Sequence, residues 1–340
     1  MRAATLYGKE DVRIENHPDP VLAEGEVRVR IGAALTCGTD LKVFRRGYHA
    51  RMLTPPCTFG HEFAGVISET HPSVKDWKPG DRVVAANSAP CGSCAPCLRH
   101  QAHLCDDLLF LNGAYAQSVV IPARVVIANL LRVPSSLALA DAALTEPLAC
   151  VVQGLHDLRL QAGEHLAVIG AGPIGLMATR LATHLGASVT VIGRGPSRLE
   201  AARRSGARQV LESPADDASL PELDRLQPDA IFEAVGKPST WESAIRWVRK
   251  GGRVNLFGGC PSGTTATLDT TRVHYHALTL LASFHHTPTT IRRAFGLIEE
   301  GVVRSQDFVD GRTPLSGLPE LFRSMCAGNR FVKTLIEVDD

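Results

Sequence analysis

Four cysteines lie within fifteen consecutive positions of this chain, at Cys91, Cys94, Cys97 and Cys105. Thiolates at such short spacing can close a tetrahedron around one zinc ion without an open position, as structural zinc sites do. The spacing therefore predicts a zinc-stabilised loop. One alternative is a zinc ribbon that binds nucleic acid, but the flanks lack a basic stripe and interleaved aromatic residues. Another is a loop of thiols that holds no metal.

A second set of possible metal ligands comes from three separated segments. Its members are Cys37, His61, Glu62 and Glu146. Alone, each residue is also explained by packing, because a buried cysteine usually behaves as a small hydrophobe. Together they offer sulfur, nitrogen and oxygen donors, and a catalytic zinc takes about three protein ligands plus an exchangeable position. Such a zinc would polarise an alcohol oxygen, and the nearby hydroxyl of Thr39 could pass the alcohol proton outward.

A glycine pattern between an apolar segment and a helical one indicates a nucleotide site. Residues 170–175 read Gly-Ala-Gly-Pro-Ile-Gly and match G-x-G-x-x-G in the required context. Gly170 permits a tight turn, Gly172 lets the backbone approach a pyrophosphate, and Gly175 lets the helix pack on the strand. The helix start, with Pro173 and Ile174, supplies N–H groups for phosphates. The alternative is a glycine-rich turn without a ligand.

The residues after the second strand of this region bear on the choice of nicotinamide cofactor. An NAD site usually places Asp or Glu there, about 20 residues after the glycines, to bind the ribose 2′-hydroxyl. This chain has Gly193-Arg194-Gly195 instead, with Arg198 close behind. Because the guanidinium presents a planar fork of donors suited to phosphate, the sequence favours NADP over NAD. The alternative is a solvated arginine and NAD bound without the carboxylate.

Hydrophobic patterns predict the elements that would hold these residues. Roughly the first 130 residues read as strands and loops with few helical patterns, including strands at 27–31 and 81–85. From His165, short apolar runs alternate with amphipathic stretches, which predicts a parallel sheet covered by helices, an α/β fold. Strands are predicted at 166–169, 189–192, 230–233, 254–257 and 332–338, and helices at 173–185, 196–205, 241–248 and 289–300. A helix at 139–158 should be bent or broken by Pro147.

Length and composition narrow the possible functions. A chain of 340 residues is too long for one ordinary core, which predicts two domains. A formal net charge of +1 gives no field that would attract nucleic acid or an anionic membrane. The first ten residues show no signal peptide, and no apolar stretch is long enough to span a membrane. With a tight cysteine cluster and an odd cysteine total, these features favour a cytoplasmic protein.

Taken in order, these motifs resemble the zinc-containing medium-chain dehydrogenase/reductase family, in its sorbitol (polyol) and threonine dehydrogenase branch. The resemblance rests on Cys-Gly-Thr-Asp at 37–40, Gly-His-Glu at 60–62, the cysteine cluster, Glu-Pro-Leu at 146–148 and the glycine motif. It implies a GroES-like β-barrel catalytic domain formed by residues 1–147 and 285–340, around a Rossmann domain at 148–284. Members of this branch are commonly dimers or tetramers.

The resemblance also implies roles for individual residues. Catalytic zinc would be bound by Cys37, His61 and Glu62, while Glu146 would be a fourth ligand or would hold a zinc-bound water. Alcohol dehydrogenases of the family have a cysteine in place of Glu146, so the glutamate points to polyols. Lys42 stands where many relatives have a histidine at the end of a proton relay, and lysine there could relay a proton or contact substrate or cofactor.

Three functions remain open at this point. The first is a zinc enzyme that transfers hydride between a nicotinamide cofactor and the secondary alcohol or ketone of a small polyol, cyclitol or sugar-like substrate. The second is the same chemistry on an amino alcohol such as threonine, or on a sugar phosphate. The third is a non-catalytic NADPH-binding protein on the same fold. The basic stretch Lys42, Arg45, Arg46 and His49 would suit an anionic substrate, but a solvated loop is the simpler interpretation.

Overall fold

A computed structural model describes residues 1–49, 51–213, 225–328 and 331–338. The chain divides into two units, and the second is inserted into the first. Unit 1 comprises Met1–Ala149 with His286–Asp340, and unit 2 comprises Cys150–His285. Among the described residues, none of the helices combines the length and the apolar character that a membrane span requires.

Unit 1 contains a seven-stranded sheet, a three-stranded sheet and a two-stranded sheet. The large sheet has the order β10-β6-β5-β3-β18-β17, with β9 also paired to β3; the others are β2-β1-β4 and β7-β8. Their bounds are β1 Arg2–Gly8, β2 Asp11–Asn16, β3 Val27–Leu35, β4 Cys57–Thr58, β5 Glu62–Thr70, β6 Arg82–Ala85, β7 Ser88–Ala89, β8 Leu109–Phe110, β9 Ser118–Ile121, β10 Leu130–Arg132, β17 Val309–Pro314 and β18 Lys333–Glu337.

The long strand β3 explains why this sheet forms where it does. Its residues alternate between the buried and the more exposed face from Val27 to Ile31, as the period-two pattern predicted. It pairs antiparallel with β5 and with β18, so the N-terminal and C-terminal parts of the chain share one sheet. Val27, Val29 and Ile31 lie in the main apolar core of this unit.

Helices in unit 1 are more numerous than the sequence pattern suggested. The bounds are α1 Gly38–Arg46, α2 Ala95–Leu98, α3 Ala123–Asn129, α4 Leu139–Ala142, α5 Thr145–Asp157, α10 Pro288–Glu299 and α11 Leu318–Cys326, with 3-10 turns at Ala102–Leu104, Ser305–Asp307 and Leu315–Gly317. The predicted interruption of the helix over 139–158 is present, but its predicted place was wrong: the break lies before Pro147, between Ala142 and Thr145. Pro147 lies in the first turn of α5, where its missing N–H leaves no intrahelical bond unmade.

Unit 2 confirms the predicted parallel sheet with interleaved helices. Its six strands have the order β13-β12-β11-β14-β15-β16, and all neighbours run parallel. The chain leaves β11 for β12 on one side and returns to β14 on the other, which makes β11/β14 the switch point at which such sheets bind ligands. The bounds are β11 His165–Ile169, α6 Pro173–His184, β12 Ser188–Gly193, α7 Pro196–Arg204, β13 Gln209–Glu212, β14 Ala230–Glu233, α8 Pro238–Trp247, β15 Arg253–Leu256, α9 Thr270–Tyr275 and β16 Thr279–Leu281.

Candidate metal and cofactor sites

Cys37, His61 and Glu62 converge in unit 1, and their ligand atoms lie within 4.8 Å of one another. The sheet register explains the convergence, because Leu35 at the end of β3 pairs with Glu62 at the start of β5. Cys37 then follows two residues beyond Leu35 as the N-cap of α1, with extended backbone angles and its Sγ accepting from the Thr39 N–H at 3.4 Å. Two neighbouring strands therefore deliver sulfur, nitrogen and oxygen donors to one point.

His61 is held in a fixed orientation by groups that the sequence did not single out. Its ring is 3% exposed, and its Nδ1 lies 2.9 Å from Oδ1 of Asp40. Because a carboxylate only accepts hydrogen bonds, Nδ1 donates to Asp40 and Nε2 is left to bind a metal. The Tyr115 hydroxyl donates to the other oxygen of Asp40. Asp40 therefore orients the imidazole as carboxylates behind zinc-binding histidines commonly do.

The charge of this pocket favours a bound cation. Burial would lower the pKa of His61, but Asp40 and Cys37 raise it well above its usual value in the metal-free chain. Glu62 is completely buried, and Lys333 binds its Oε2 as an ion pair. The Oε1 atom of Glu62 is buried without a hydrogen-bond partner. Buried carboxylate oxygens rarely lack a partner, so the donor set and this oxygen together fit zinc.

Glu146 lies near this group without being part of it. It is in the first turn of α5, buried, and outside the 4.8 Å group of Cys37, His61 and Glu62. Burial raises its pKa to about 7, which His61 opposes and Glu62 reinforces. The His286 Nε2 atom lies 3.9 Å from Glu146 Oε1 and 2.9 Å from Oδ1 of Asn87. His286 thus adds a buried imidazole beside Glu146.

The basic stretch after Cys37 is engaged mainly in structural contacts. Arg45 donates to the Sγ of Cys326 at 3.3 Å and to its carbonyl at 3.0 Å, which ties α1 to α11. The Nδ1 atom of His49 accepts from the backbone N–H groups of Arg51 and Met52 at 3.2 and 3.0 Å. Lys42 is exposed on α1. Lys42, Arg45 and Arg46 lie on α1, so the stretch is largely helical and not the loop that was expected, and the contacts of Arg45 and His49 hold the protein's own structure together.

The four clustered cysteines converge as well, with all Sγ atoms within 4.8 Å of one another. The loop between β7 and β8 carries them, and Cys94 is the N-cap of α2. The Cys91 N–H donates to Sγ of Cys105 at 3.2 Å, and the Cys94 N–H donates to Sγ of Cys91 at 3.4 Å. Backbone N–H groups of Ser93 and Cys94 lower the pKa of Cys91 to about 6. Burial raises the pKa values of Cys97 and Cys105, so the fit to a closed zinc site rests on the four close Sγ atoms.

The glycine motif of unit 2 has the geometry that its spacing suggested. Gly170, directly after β11, has φ 112°, a conformation that favours glycine. A Cβ on Gly175 would lie 1.8 Å from the carbonyl oxygen of Gly170, so only glycine lets α6 start this close to the strand. A Cβ on Gly172 would meet nothing within 4 Å. The N-terminus of α6, with Pro173 and Ile174, therefore faces open space at the position where a pyrophosphate would bind.

The end of β12 carries charges of both signs. Arg194 follows the strand directly and is exposed, and Arg198 is in the first turn of α7. No carboxylate follows β12 itself, but Glu212 pairs with Gly193 from the neighbouring strand β13. A carboxylate thus lies beside the end of β12, supplied by a strand that the sequence analysis had not predicted.

Comparison with known proteins places the chain among dehydrogenases. Residues 23–134 match the alcohol dehydrogenase GroES-like domain, and residues 173–300 match the zinc-binding dehydrogenase family. The L-threonine 3-dehydrogenase of Bacillus velezensis is 31% identical over 92% of this chain and 91% of its own length. The sorbitol dehydrogenase of Bacillus subtilis is 29% identical over 99% of this chain and 97% of its own.

A solved structure agrees with these relatives. A zinc-binding dehydrogenase from Sinorhizobium meliloti, bound to NADP, superposes with a TM-score of 0.89 at 27% identity, covering 99% of this chain and 98% of that one. The chain therefore belongs to the zinc-binding dehydrogenase family, with a GroES-like domain and a Rossmann-like domain. Its relatives and fold are those of NAD(P)-dependent zinc alcohol and polyol dehydrogenases, which confirms the family and the enzyme class that the sequence indicated.

Proposed function

We propose that this enzyme transfers hydride between NADP and the secondary alcohol, or matching ketone, of a small polyol-like substrate at a zinc ion held by Cys37, His61 and Glu62. The observation that carries the proposal is the convergence of these three donors around a buried, unpaired Glu62 oxygen. Zinc, when bound, supplies Lewis-acid polarisation of the substrate oxygen. The intact donor set argues against a non-catalytic NADPH-binding protein, which has no need of it.

The remaining residues of the site either hold the zinc ligands in place or take part in proton transfer and substrate contact. Asp40 fixes the tautomer and orientation of His61. The Thr39 hydroxyl accepts the substrate proton as it releases its own toward solvent, and Lys42, on the next turn of α1, contacts the substrate or the cofactor. Glu146, whose pKa is raised to about 7 by burial, is suited to hold a water or a proton near the reacting oxygen. The resemblance implies that alcohol dehydrogenases of the family have a cysteine at the position of Glu146.

We further propose two zinc ions per chain, the second bound by the four-cysteine loop as a structural ion. Residues 1–147 with 285–340 would form the catalytic domain, and residues 148–284 the cofactor-binding domain. We propose a homodimer or homotetramer that works in the cytoplasm, where cysteine thiolates stay reduced, with no nucleic-acid or membrane partner.

Polyols are the proposed substrate class, with cyclitols and sugar-like alcohols included. Support comes from Glu146 and from the sorbitol dehydrogenase of B. subtilis. The similarity to an L-threonine 3-dehydrogenase keeps amino alcohols as the second candidate. The structural engagement of Arg45 and His49 makes a sugar phosphate less favoured.

A substrate panel tests this choice directly. Purified enzyme is assayed with polyols, cyclitols, sugar alcohols, their phosphates and L-threonine, each with NADP and with NAD. Oxidation of an uncharged polyol with the highest kcat/KM supports the proposal. Preference for threonine or a phosphorylated sugar would contradict the substrate assignment while leaving the zinc chemistry in place.

The NADP preference predicts the effect of a charge reversal at Arg194. The change Arg194→Asp should weaken NADPH binding about 10- to 100-fold, because hydrogen bonds to a charged group contribute about 1.5–3 kcal/mol. Binding of NADH should change little or improve, since the new carboxylate can accept from the ribose hydroxyls. Fluorescence titration of both cofactors measures the two dissociation constants.

The matched control is Arg203→Asp, an exposed arginine in the last turn of α7, paired with Glu200 at 3.1 Å. It should leave both dissociation constants unchanged. Equal losses for NADPH and NADH in Arg194→Asp would remove the preference for NADP.

A further inference from the structure

Lys333 is a charged residue that is almost completely buried in unit 1. Its side chain is 1% exposed, and it stands at the start of β18, far in sequence from every other group of the zinc site. The neighbouring residue Thr334 exchanges hydrogen bonds with Thr36, at 3.0 Å through its carbonyl and 2.9 Å through its N–H. The C-terminal strand is thereby fixed directly against the segment that leads to Cys37.

The Lys333 ammonium contacts two residues of the zinc site: Thr36, which precedes Cys37, and Glu62, which follows His61. It donates to the carbonyl of Thr36, which precedes Cys37, at 2.9 Å. It also forms an ion pair with Oε2 of Glu62, which follows His61. The other oxygen of that carboxylate, Oε1, is buried and has no hydrogen-bond partner. One carboxylate thus has one oxygen held by a cation and one left for a ligand.

We propose that Lys333 is a positioning residue that retains Oε2 of Glu62 and so limits this carboxylate to one weak, exchangeable bond to the zinc ion. The inference rests on the proposed function, in which Cys37, His61 and Glu62 hold the zinc. A catalytic zinc needs an open or exchangeable position for its substrate. Competition between two cations for one carboxylate provides that exchangeability, since neither cation has the full charge of Glu62.

Removal of the Lys333 ammonium should raise zinc affinity, whereas removal of a purely structural lysine would not. Without Lys333, the buried charge of Glu62 is uncompensated in the metal-free protein, which is strongly destabilising. Zinc then becomes the sole cation available to Glu62 and can take both oxygens. Zinc binding should therefore become tighter as the metal-free form becomes less stable, while the position needed by the substrate is blocked.

The test compares Lys333→Met, Glu62→Gln and the double variant with the wild-type enzyme, using the full chain. Zinc affinity is measured by competition with a chromophoric chelator. The Cys37→Ser variant, which keeps only the four-cysteine site, gives the contribution of that site, and this contribution is subtracted. For Lys333→Met we expect zinc affinity at this site to rise about tenfold, in the range by which groups around a metal site tune it. The zinc-induced rise in Tm should grow, and kcat should fall while the KM for cofactor stays unchanged.

The double variant identifies Glu62 as the group through which Lys333 acts. In the Glu62→Gln background, Lys333→Met should no longer raise zinc affinity, because no carboxylate remains to be released. Lys333→Arg, which restores the charge, should return zinc affinity toward the wild-type value. If Lys333→Met alone fails to fold, Lys333→Gln takes its place, because it removes the charge but keeps a donor for the Thr36 carbonyl, and it should raise zinc affinity in the same way.

The outcomes separate this inference from the function on which it rests. Unchanged or weaker zinc binding in Lys333→Met would overturn the role of Lys333. An equal rise in zinc affinity with Glu62 in place and in the Glu62→Gln background would overturn it as well. If Cys37→Ser released no zinc, the proposed site itself would be wrong. Loss of zinc in Cys37→Ser together with no effect of Lys333→Met would leave the function standing and remove only this inference.

Discussion

Replacement of Cys37 by serine is expected to reduce turnover at least about a thousandfold, because a Lewis-acid metal contributes several kcal/mol to transition-state stabilisation. A serine hydroxyl does not ionise near neutral pH and cannot replace the thiolate as a zinc ligand. Elemental analysis should find one zinc fewer per chain. NADPH binding, measured by fluorescence titration, should be unchanged, since the glycine motif lies in the other unit.

The fold of unit 1 should tolerate this change. Cys37 is the N-cap of α1 and accepts the Thr39 N–H, and serine is a favoured N-cap residue. Loss of activity can thus be assigned to the metal and not to a lost helix. The matched control is Cys57→Ser, a half-buried cysteine on β4 outside both clusters, which should keep its zinc and most of its activity. Full activity in Cys37→Ser would contradict the catalytic assignment.

Replacement of Cys97 by serine is expected to act on stability and not on chemistry. The four Sγ atoms lie within 4.8 Å of one another in a loop with little other regular structure, so zinc would supply much of its cohesion. We expect one zinc fewer per chain and a fall in Tm of about 5–10 °C, as a loss of roughly 3 kcal/mol gives for a domain of this size. The Michaelis constants should change little.

Differential scanning calorimetry with and without added zinc measures this effect. Cys260→Ser, which removes a thiol of unit 2 outside the cysteine loop, is the control and should retain the wild-type Tm and zinc content. A Tm for Cys97→Ser equal to that of the wild-type enzyme would show that the loop needs no metal for its stability.

The family and much of the fold could be predicted from local sequence patterns. The predicted strands of unit 2 at 166–169, 189–192, 230–233 and 254–257 are each found within about one residue of an observed strand. Their apolar runs are long enough to identify strands buried on both faces. The short helix α9 and the strand β13 have mixed polar composition, so no periodicity marks them.

The support of the zinc site could not be predicted in the same way. Asp40 is the last residue of the Cys-Gly-Thr-Asp motif, but the sequence does not say that it faces His61. Tyr115 and Lys333 have no motif at all. The position of Lys333 depends on the pairing of β18 with β3 across some 300 residues of chain, and that of Tyr115 depends on backbone hydrogen bonds to Ala4 and Phe59. Local patterns contain neither contact. Long-range register therefore sets the environment of the zinc ligands, while spacing identifies the ligands themselves.

The error at residues 139–158 has a similar origin. Pro147 was expected to interrupt the helix, and the rule that proline breaks helices holds for interior positions. Here Pro147 lies in the first turn of α5, because the chain leaves α4 after Ala142. Because α4 ends at Ala142, Glu146 lies in the first turn of α5, where its side chain is buried.

The decisive measurement for the proposed metal chemistry is the zinc content of the purified wild-type enzyme, determined by elemental analysis alongside turnover of a polyol. We expect two zinc ions per chain, and removal by a chelator of the one held by Cys37, His61 and Glu62 should abolish hydride transfer while the enzyme still binds NADPH. Undiminished turnover after that zinc ion has been removed would contradict the proposal, because these three residues would then not form a catalytic metal site.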